Sequence, residues 1–211
     1  MPHVSLREKE GCDLVEELTG KRPLHVLDPV FLLTENEWRE IAKRPLWLDQ
    51  KKYERGYVLT YFFGAAVPKE AKALADKLDL PTINLRDIKN FNHYITGIEE
   101  FVYLFDHANF ICTHSFHGTS FAVIFRKPFI TYKSNRAVIA RFSRLESVLE
   151  LFGLKERATE TDLKIKVADP LAIDFTRRDE VLPRERAKAF KFLGEALGID
   201  PLEIFLRGDA R

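Results

Sequence analysis

The sequence predicts an α/β fold in which a parallel sheet is flanked by helices. Two observations carry that expectation. Short β-branched and aromatic runs alternate with stretches of helical spacing, and the runs are apolar throughout, as strands covered on both faces must be. Tyr57-Val58-Leu59-Thr60-Tyr61-Phe62-Phe63 is the first run, ended by Gly64, and Pro68 opens a helical stretch through Leu78. Thr82 to Leu85 reads as a short strand. After a polar loop, Gly97 to His107 carries Ile98, Phe101, Val102 and Phe105 on one helical face. Phe110 to Thr113 reads as a buried strand, His117 to Phe125 as a helix, Pro128 to Thr131 as a strand, and Ala140 to Phe152 as a helix capped by Gly153. This repetition implies parallel βαβ units in a Rossmann-like arrangement. Arg184 to Leu197 is an amphipathic helix stopped by Gly198, and Thr159 to Arg178, polar and irregular, is the most linker-like piece.

Composition narrows the function classes. With 211 residues, 45% hydrophobic and 31% charged, the chain can bury one sizeable core. Lys plus Arg (33) nearly balance Asp plus Glu (32), so no strongly basic face is indicated and nucleic acid is not an expected partner. Cys12 and Cys112 lie far apart without C-x-x-C spacing, which suggests neither a disulfide scaffold nor a zinc ribbon. Met1 to Cys12 lacks a basic-then-apolar export pattern, and no apolar run approaches the roughly 20 residues that span a bilayer. The expectation is a cytoplasmic protein without a transmembrane segment, peripheral at most to the inner membrane face.

In open parallel sheets, ligands bind beyond the carboxyl ends of the strands, where loops lead into helix N-termini. Phe62-Phe63-Gly64, Asn84-Leu85-Arg86-Asp87 and Thr113 to Ser120 qualify, and the last is chemically the richest. A helix starting near His117 aims unpaired N–H groups and the positive end of its dipole at an anion. Gly118 permits close approach, Ser115, Thr119 and Ser120 offer hydroxyls, and a histidine exchanges protons near neutral pH. The bland alternative is a satisfied or capping histidine. His107, His114 and His117 as metal ligands lack carboxylates at helical spacing, so no metal is expected. A serine hydrolase would need G-x-S-x-G, which neither Ser115 nor Ser120 supplies, and no Walker or G-x-G-x-x-G loop marks a nucleotide-phosphate site. Lys133, Arg136, Arg141 and Arg144 follow the next strand. They are either a solvated helix face or, being able to grip phosphate and carboxylate in bidentate fashion, part of an anion site.

Several segments, taken in order, are similar to the C-terminal part of polysaccharide pyruvyl transferases. They are Asp28-Pro29-Val30-Phe31-Leu32-Leu33 with Trp38, Tyr57 to Phe63, Ser115-Phe116-His117-Gly118-Thr119, Lys127-Pro128-Phe129, and Ser143-Arg144-Leu145-Glu146-Ser147-Val148-Leu149. Ser115 to Thr119 is the most specific. Ser5-Leu6-Arg7-Glu8 resembles the Ser-x-Arg-acidic segment that closes the family's first domain.

The resemblance implies a two-domain, glycosyltransferase-B-like architecture. Residues 1–27 would then be a residual inter-domain segment and 28–211 the C-terminal, Rossmann-like, donor-binding catalytic domain. It implies transfer of a pyruvyl group from phosphoenolpyruvate, the donor substrate, with no separate cofactor. The acceptor would be a saccharide or lipid-linked saccharide of an exopolysaccharide or cell-surface glycan, which becomes a ketal. His117 would be the catalytic acid, with Arg7, Ser115, Gly118, Thr119, Arg136, Arg141 and Arg144 binding substrate; motif position favours Arg7 and Arg144 as the anion grip. The first domain is expected to be missing, so a fragment, a truncated frame, a homo-oligomer or a partner supplying that half is implied. Two departures stand out: His114 replaces a carboxylate or amide of many members, and Ser115 replaces an arginine of other branches. The alternatives are the nucleotide-sugar-binding half of a glycosyltransferase and a non-catalytic anion-binding domain.

Overall fold

The computed structural model describes residues 3–63, 66–133, 139–160 and 169–200, with backbone alone for 139–143 and 160. The chain divides into two compact units, a terminal one of residues 1–32 with 176–211 and a central one of residues 33–175.

The terminal unit opens with β1 (Ser5–Leu6), α1 (Lys9–Thr19) and β2 (Leu24–His25), and the two short strands pair in parallel. Gly20, at φ 68°, ends α1 in the left-handed conformation that glycine adopts without strain. A 3₁₀ turn at Pro29–Phe31 follows, where Asp28 Oδ1 accepts the Val30 N–H at 3.0 Å. The two-residue strands carry no periodicity, and α1 was not read from the sequence although its 11 residues are amphipathic.

In the central unit, α2 (Glu35–Ile41) starts in a capping box: Thr34 Oγ1 accepts from Glu37 N, and Glu37 Oε2 accepts from Thr34 N. Then come β3 (Val58–Tyr61), α3 (Lys69–Leu78), β4 (Thr82–Leu85), α4 (Phe91–Tyr94), α5 (Ile98–His107), β5 (Phe110–Thr113), α6 (Phe116–Ile124), β6 (Phe129–Lys133), α7 (Ile139–Leu151) and β7 (Ala158–Glu160). Among the described residues the sheet is five-stranded, all parallel, in the order β4-β3-β5-β6-β7. This is the α/β, Rossmann-like arrangement that the strand–helix alternation predicts. The final element, α8 (Thr176–Leu197), belongs to the terminal unit. It starts at Thr176 and runs through Pro183, so the helix expected from Arg184 is its second half. Arg186 Nε donates to Phe31 O at 2.6 Å, tying α8 to the 3₁₀ turn.

The central core lies on both faces of the sheet. On one face α3 lays Ala71, Leu74 and Ala75 over Val58, Phe110, Cys112, Ile130 and Tyr132. On the other, Tyr61 meets Phe101 at 5.1 Å, and Phe121 of α6 meets both Phe101 (5.5 Å) and Trp38 (4.9 Å). Burying a phenylalanine such as Phe105, Phe110 or Phe129 contributes about 1.5–3 kcal/mol. Arg39 grips Asp106 bidentately at 2.8 and 2.9 Å, joining α2 to α5. Burial alone would raise that carboxyl, but the guanidinium outweighs it and holds Asp106 below the ordinary carboxylate range. Cys12 and Cys112 are both buried free thiols, and burial pushes Cys112 up to about 12. Among the described residues no helix is long and apolar enough to cross a membrane.

Candidate functional site

Strand order reverses between β3 and β5: β3 leads through α3 to β4 on one side, and β5 leads through α6 to β6 on the other. The crevice beyond the carboxyl ends of those two strands is where doubly wound sheets take their ligands. The His117 turn forms one wall of it.

That turn is built by hydrogen bonds among its own residues. Thr113, fully buried, donates its hydroxyl to Tyr61 O across the β3–β5 pair (2.7 Å) and accepts from Ser115 N (3.0 Å). Ser115 then caps α6, its Oγ accepting from Gly118 N at 3.3 Å. Thr119 is fully buried and shares a hydrogen bond with Thr131 of β6 at 2.7 Å, while Ser120 donates to Phe116 O at 2.9 Å. A Cβ on Gly118 would sit 2.6 Å from Thr113 Oγ1, so the space this glycine leaves is taken by Thr113. The hydroxyls of Ser115, Thr119 and Ser120 thus serve the turn, as does the bare backbone of Gly118.

His117 is the exposed polar side chain of the turn, in the first turn of α6. Its ring stands edge-on to Phe116 at 5.4 Å, and the Arg144 guanidinium lies 5.9 Å from the Phe116 ring. Helix α7 therefore brings Arg144 to the His117 turn, two of the predicted site residues at one place. Lys133, at the end of β6, pairs with Glu146 of α7 at 3.1 Å. Arg136 lies outside the described residues, as does the side chain of Arg141. Arg7 belongs to the terminal unit, where its guanidinium is engaged by Asp28 and by Glu8.

His114 ties the turn to the end of β3. Its Nε2 lies 3.2 Å from Phe63 O, and since a carbonyl only accepts, Nε2 carries the proton. The ring packs against Phe62 (5.2 Å) and lies nearly parallel to Phe63 (6.1 Å). Burial pushes this imidazole below the ordinary histidine range, against the hydrogen bond to Phe63. His107 instead stacks on Tyr103 at 3.9 Å and contacts Tyr103 O. Among the described residues no group of three or more His, Cys, Asp or Glu side chains is arranged to hold a metal ion.

A cleft of about 910 Å³ runs along α3 and the edge strand β4, lined by Phe63, Asn84, Arg86, Asp87, Lys89 and Tyr94 among others. Asn84 to Asp87 were recognisable from sequence as a strand end. Lys89 and Tyr94 were not, because the four-residue helix α4 that carries Tyr94 gives no periodic signal. Asn90, whose side chain caps α4 by accepting from His93 N, was the one readable mark.

No curated protein and no solved structure matches the chain. The family model for polysaccharide pyruvyl transferase matches residues 2–136, which is more than half of the chain. That span takes in Arg7, the capped turn with His117 and the cleft along β4, leaving Arg144 beyond it. With the Rossmann-like sheet and an exposed histidine at the place where such sheets bind ligands, the chain belongs to the polysaccharide pyruvyl transferase family.

Proposed function

We propose that the chain transfers a pyruvyl group from phosphoenolpyruvate to a sugar, closing a ketal across two hydroxyls, with His117 as the acid. The observation that carries this reading is the exposed His117 at the α6 N-terminus, beside the switch point, with Arg144 lying over the neighbouring Phe116 ring. Phosphoenolpyruvate brings a phosphate and a carboxylate on an enol. The helix N-terminus and Arg144 supply the positive potential that such a donor needs, and each charge-assisted hydrogen bond is worth about 1.5–3 kcal/mol.

In the reaction His117 gives a proton to the methylene carbon, and positive character develops at C2. One sugar hydroxyl bonds to C2 and releases its proton, which restores the imidazole to its charged form. The second hydroxyl then bonds to C2, its own proton and the phosphate depart, and the ketal is complete. Phosphoenolpyruvate plus a diol thus gives ketal plus inorganic phosphate, with atoms and charge balanced.

General acid catalysis contributes about 10²–10⁴-fold. Release of inorganic phosphate from phosphoenolpyruvate in the presence of sugar acceptors should therefore fall by that order in His117→Gln, with an unchanged circular dichroism spectrum. Full phosphate release by His117→Gln would remove the acid role. Thermal stabilisation by UDP- or GDP-sugars but not by phosphoenolpyruvate would favour a glycosyltransferase half instead.

A further inference from the structure

We infer that the connection from Ile88 to Ile98, with Leu46 beside it, is a docking surface for a lipid bilayer that carries anionic headgroups. This goes beyond the pyruvyl-transfer reading and does not depend on it. Ile88, Phe91, Tyr94, Ile95 and Ile98 are all exposed in the short stretch that links β4 to α5, and Ile88, Phe91 and Ile98 are 81%, 71% and 76% exposed. A single exposed apolar side chain is ordinary, whereas a run of them marks a surface that something covers. Leu46, fully exposed, joins the run. Trp47 packs on His93 of α4 at 4.8 Å and Lys43 N donates to Glu99 O at 3.1 Å, which holds the loop after α2 against α4 and the start of α5.

The connection is fixed from within by polar bonds. Asn90 Oδ1 accepts from His93 N at 3.3 Å, the Thr96 hydroxyl donates to the carbonyls of Asn92 and His93, and the His93 ring is buried. The large apolar side chains are the ones left facing water.

Charge selects the occupant. Residues 43–52 and 86–100 together carry six Lys or Arg and four Asp or Glu. The carboxylates are engaged locally: Asp87 accepts the Lys89 N–H, Asp49 those of Lys51 and Lys52, Glu100 that of Gly97, and Glu99 pairs with Lys43. Arg86 lies over the Tyr94 ring at 4.9 Å and Lys52 over the Tyr53 ring at 5.1 Å, so these cations sit on aromatic faces, and Lys89 is exposed. A protein partner would favour an apolar core depleted of charge. Here apolar side chains stand singly among cations, an arrangement that a fluid anionic interface accommodates: isoleucine and phenylalanine enter the acyl boundary while tyrosine and the basic groups stay with the headgroups. Because β4 and β5 both pair in parallel with β3, the connection leaves the sheet at the same end as the His117 turn. Docking through it turns that end of the central unit toward the membrane.

The test is co-sedimentation of the full chain with vesicles of phosphatidylcholine alone and of equal parts phosphatidylcholine and phosphatidylglycerol. The chain should bind the mixed vesicles in preference, and less so as salt is raised. Phe91→Ser with Ile98→Ser should lower that binding by about tenfold or more, Lys89→Gln should lower it about fivefold, and Phe91→Leu should keep it. Leu14→Ser with Leu18→Ser, exposed leucines of α1 in the other unit, should leave it unchanged. In Phe91→Trp, brominated phosphatidylcholine in the mixed vesicles should quench tryptophan fluorescence beyond the level seen in wild type. Binding that is absent from the mixed vesicles, equal in wild type and the Phe91 and Ile98 pair, or lost equally in the α1 pair would overturn the inference. Self-association in sedimentation velocity that the Phe91 and Ile98 substitutions abolish, without vesicle binding, would assign the surface to a second copy of the chain instead.

Discussion

The turn after β5 and the cleft along β4 are built on opposite plans. The turn from Thr113 to Ser120 is dense with hydroxyls, yet they are buried and bonded to backbone groups or to Thr131 of β6, and one exposed side chain, His117, emerges from it. The stretch from Phe63 to Tyr94 looks plainer in sequence, yet its aromatic rings, amide and guanidinium line an open cleft, and Arg86 is held at a positive φ. The contrast teaches that a polar-rich motif can be a scaffold: its hydroxyls hold a helix start at a fixed place, and one imidazole emerges from it.

Substitutions should separate the two plans, and the largest stability effect belongs to the scaffold. Gly118→Ala places a methyl group 2.6 Å from Thr113 Oγ1, and Thr113 cannot turn away without losing its bonds to Tyr61 and Ser115. Urea denaturation should show a loss of about 1–3 kcal/mol; an unchanged midpoint would mean that the turn is looser than described. Thr119→Val leaves Thr131 Oγ1 as an orphaned buried group and should cost about 1–2 kcal/mol. Adding Thr131→Val should restore most of it, because two apolar partners need no hydrogen bond. If the double variant recovers stability while losing phosphoenolpyruvate affinity, Thr119 acts on the ligand as well.

The contact between the His117 turn and the end of β3 predicts a pH dependence. Burial keeps the His114 imidazole below its ordinary range, and does the same for His93, which packs on Trp47. The unfolded chain protonates both near pH 6.5 while the folded chain resists, so the unfolded state binds more protons and stability falls as pH drops below about 6.5. Thermal melts between pH 8 and 5 should show that decline, and His114→Phe should flatten it; a slope unchanged by the substitution would assign the effect to other groups. The smallest stability effect belongs to the cleft. Arg86→Gly relieves a left-handed backbone while removing two ring contacts, so stability should stay within about 0.5 kcal/mol of wild type.

Legibility followed the strength of the periodic signal. Thr82–Leu85 and Phe110–Thr113 are strands with the boundaries their apolar runs mark, since a strand buried on both faces leaves an uninterrupted signature. The helix expected at His117 begins one residue earlier, at Phe116, because the Ser115 side chain caps it. The capping box of Thr34 and Glu37 was readable and would have located α2. β7, at Ala158–Glu160, falls partly in the stretch that reads as linker; three residues at a sheet edge have no pattern of their own. Pro183 made α8 appear to begin after it, although the helix tolerates the proline from Thr176 onward.

By itself the sequence determined the α/β class and the order of its central strands, and it singled out His117 and Arg144, which the fold brings to one turn. Those depend on local periodicity and on residue chemistry, both of which are written in order along the chain. Which hydroxyls are buried, that Gly118 accommodates Thr113, and that Phe63, Arg86 and Tyr94 share one cleft were decided by tertiary structure. These facts depend on which strands become neighbours, and the step from β4 over β3 to β5 joins residues far apart in the chain through contacts that no local pattern encodes.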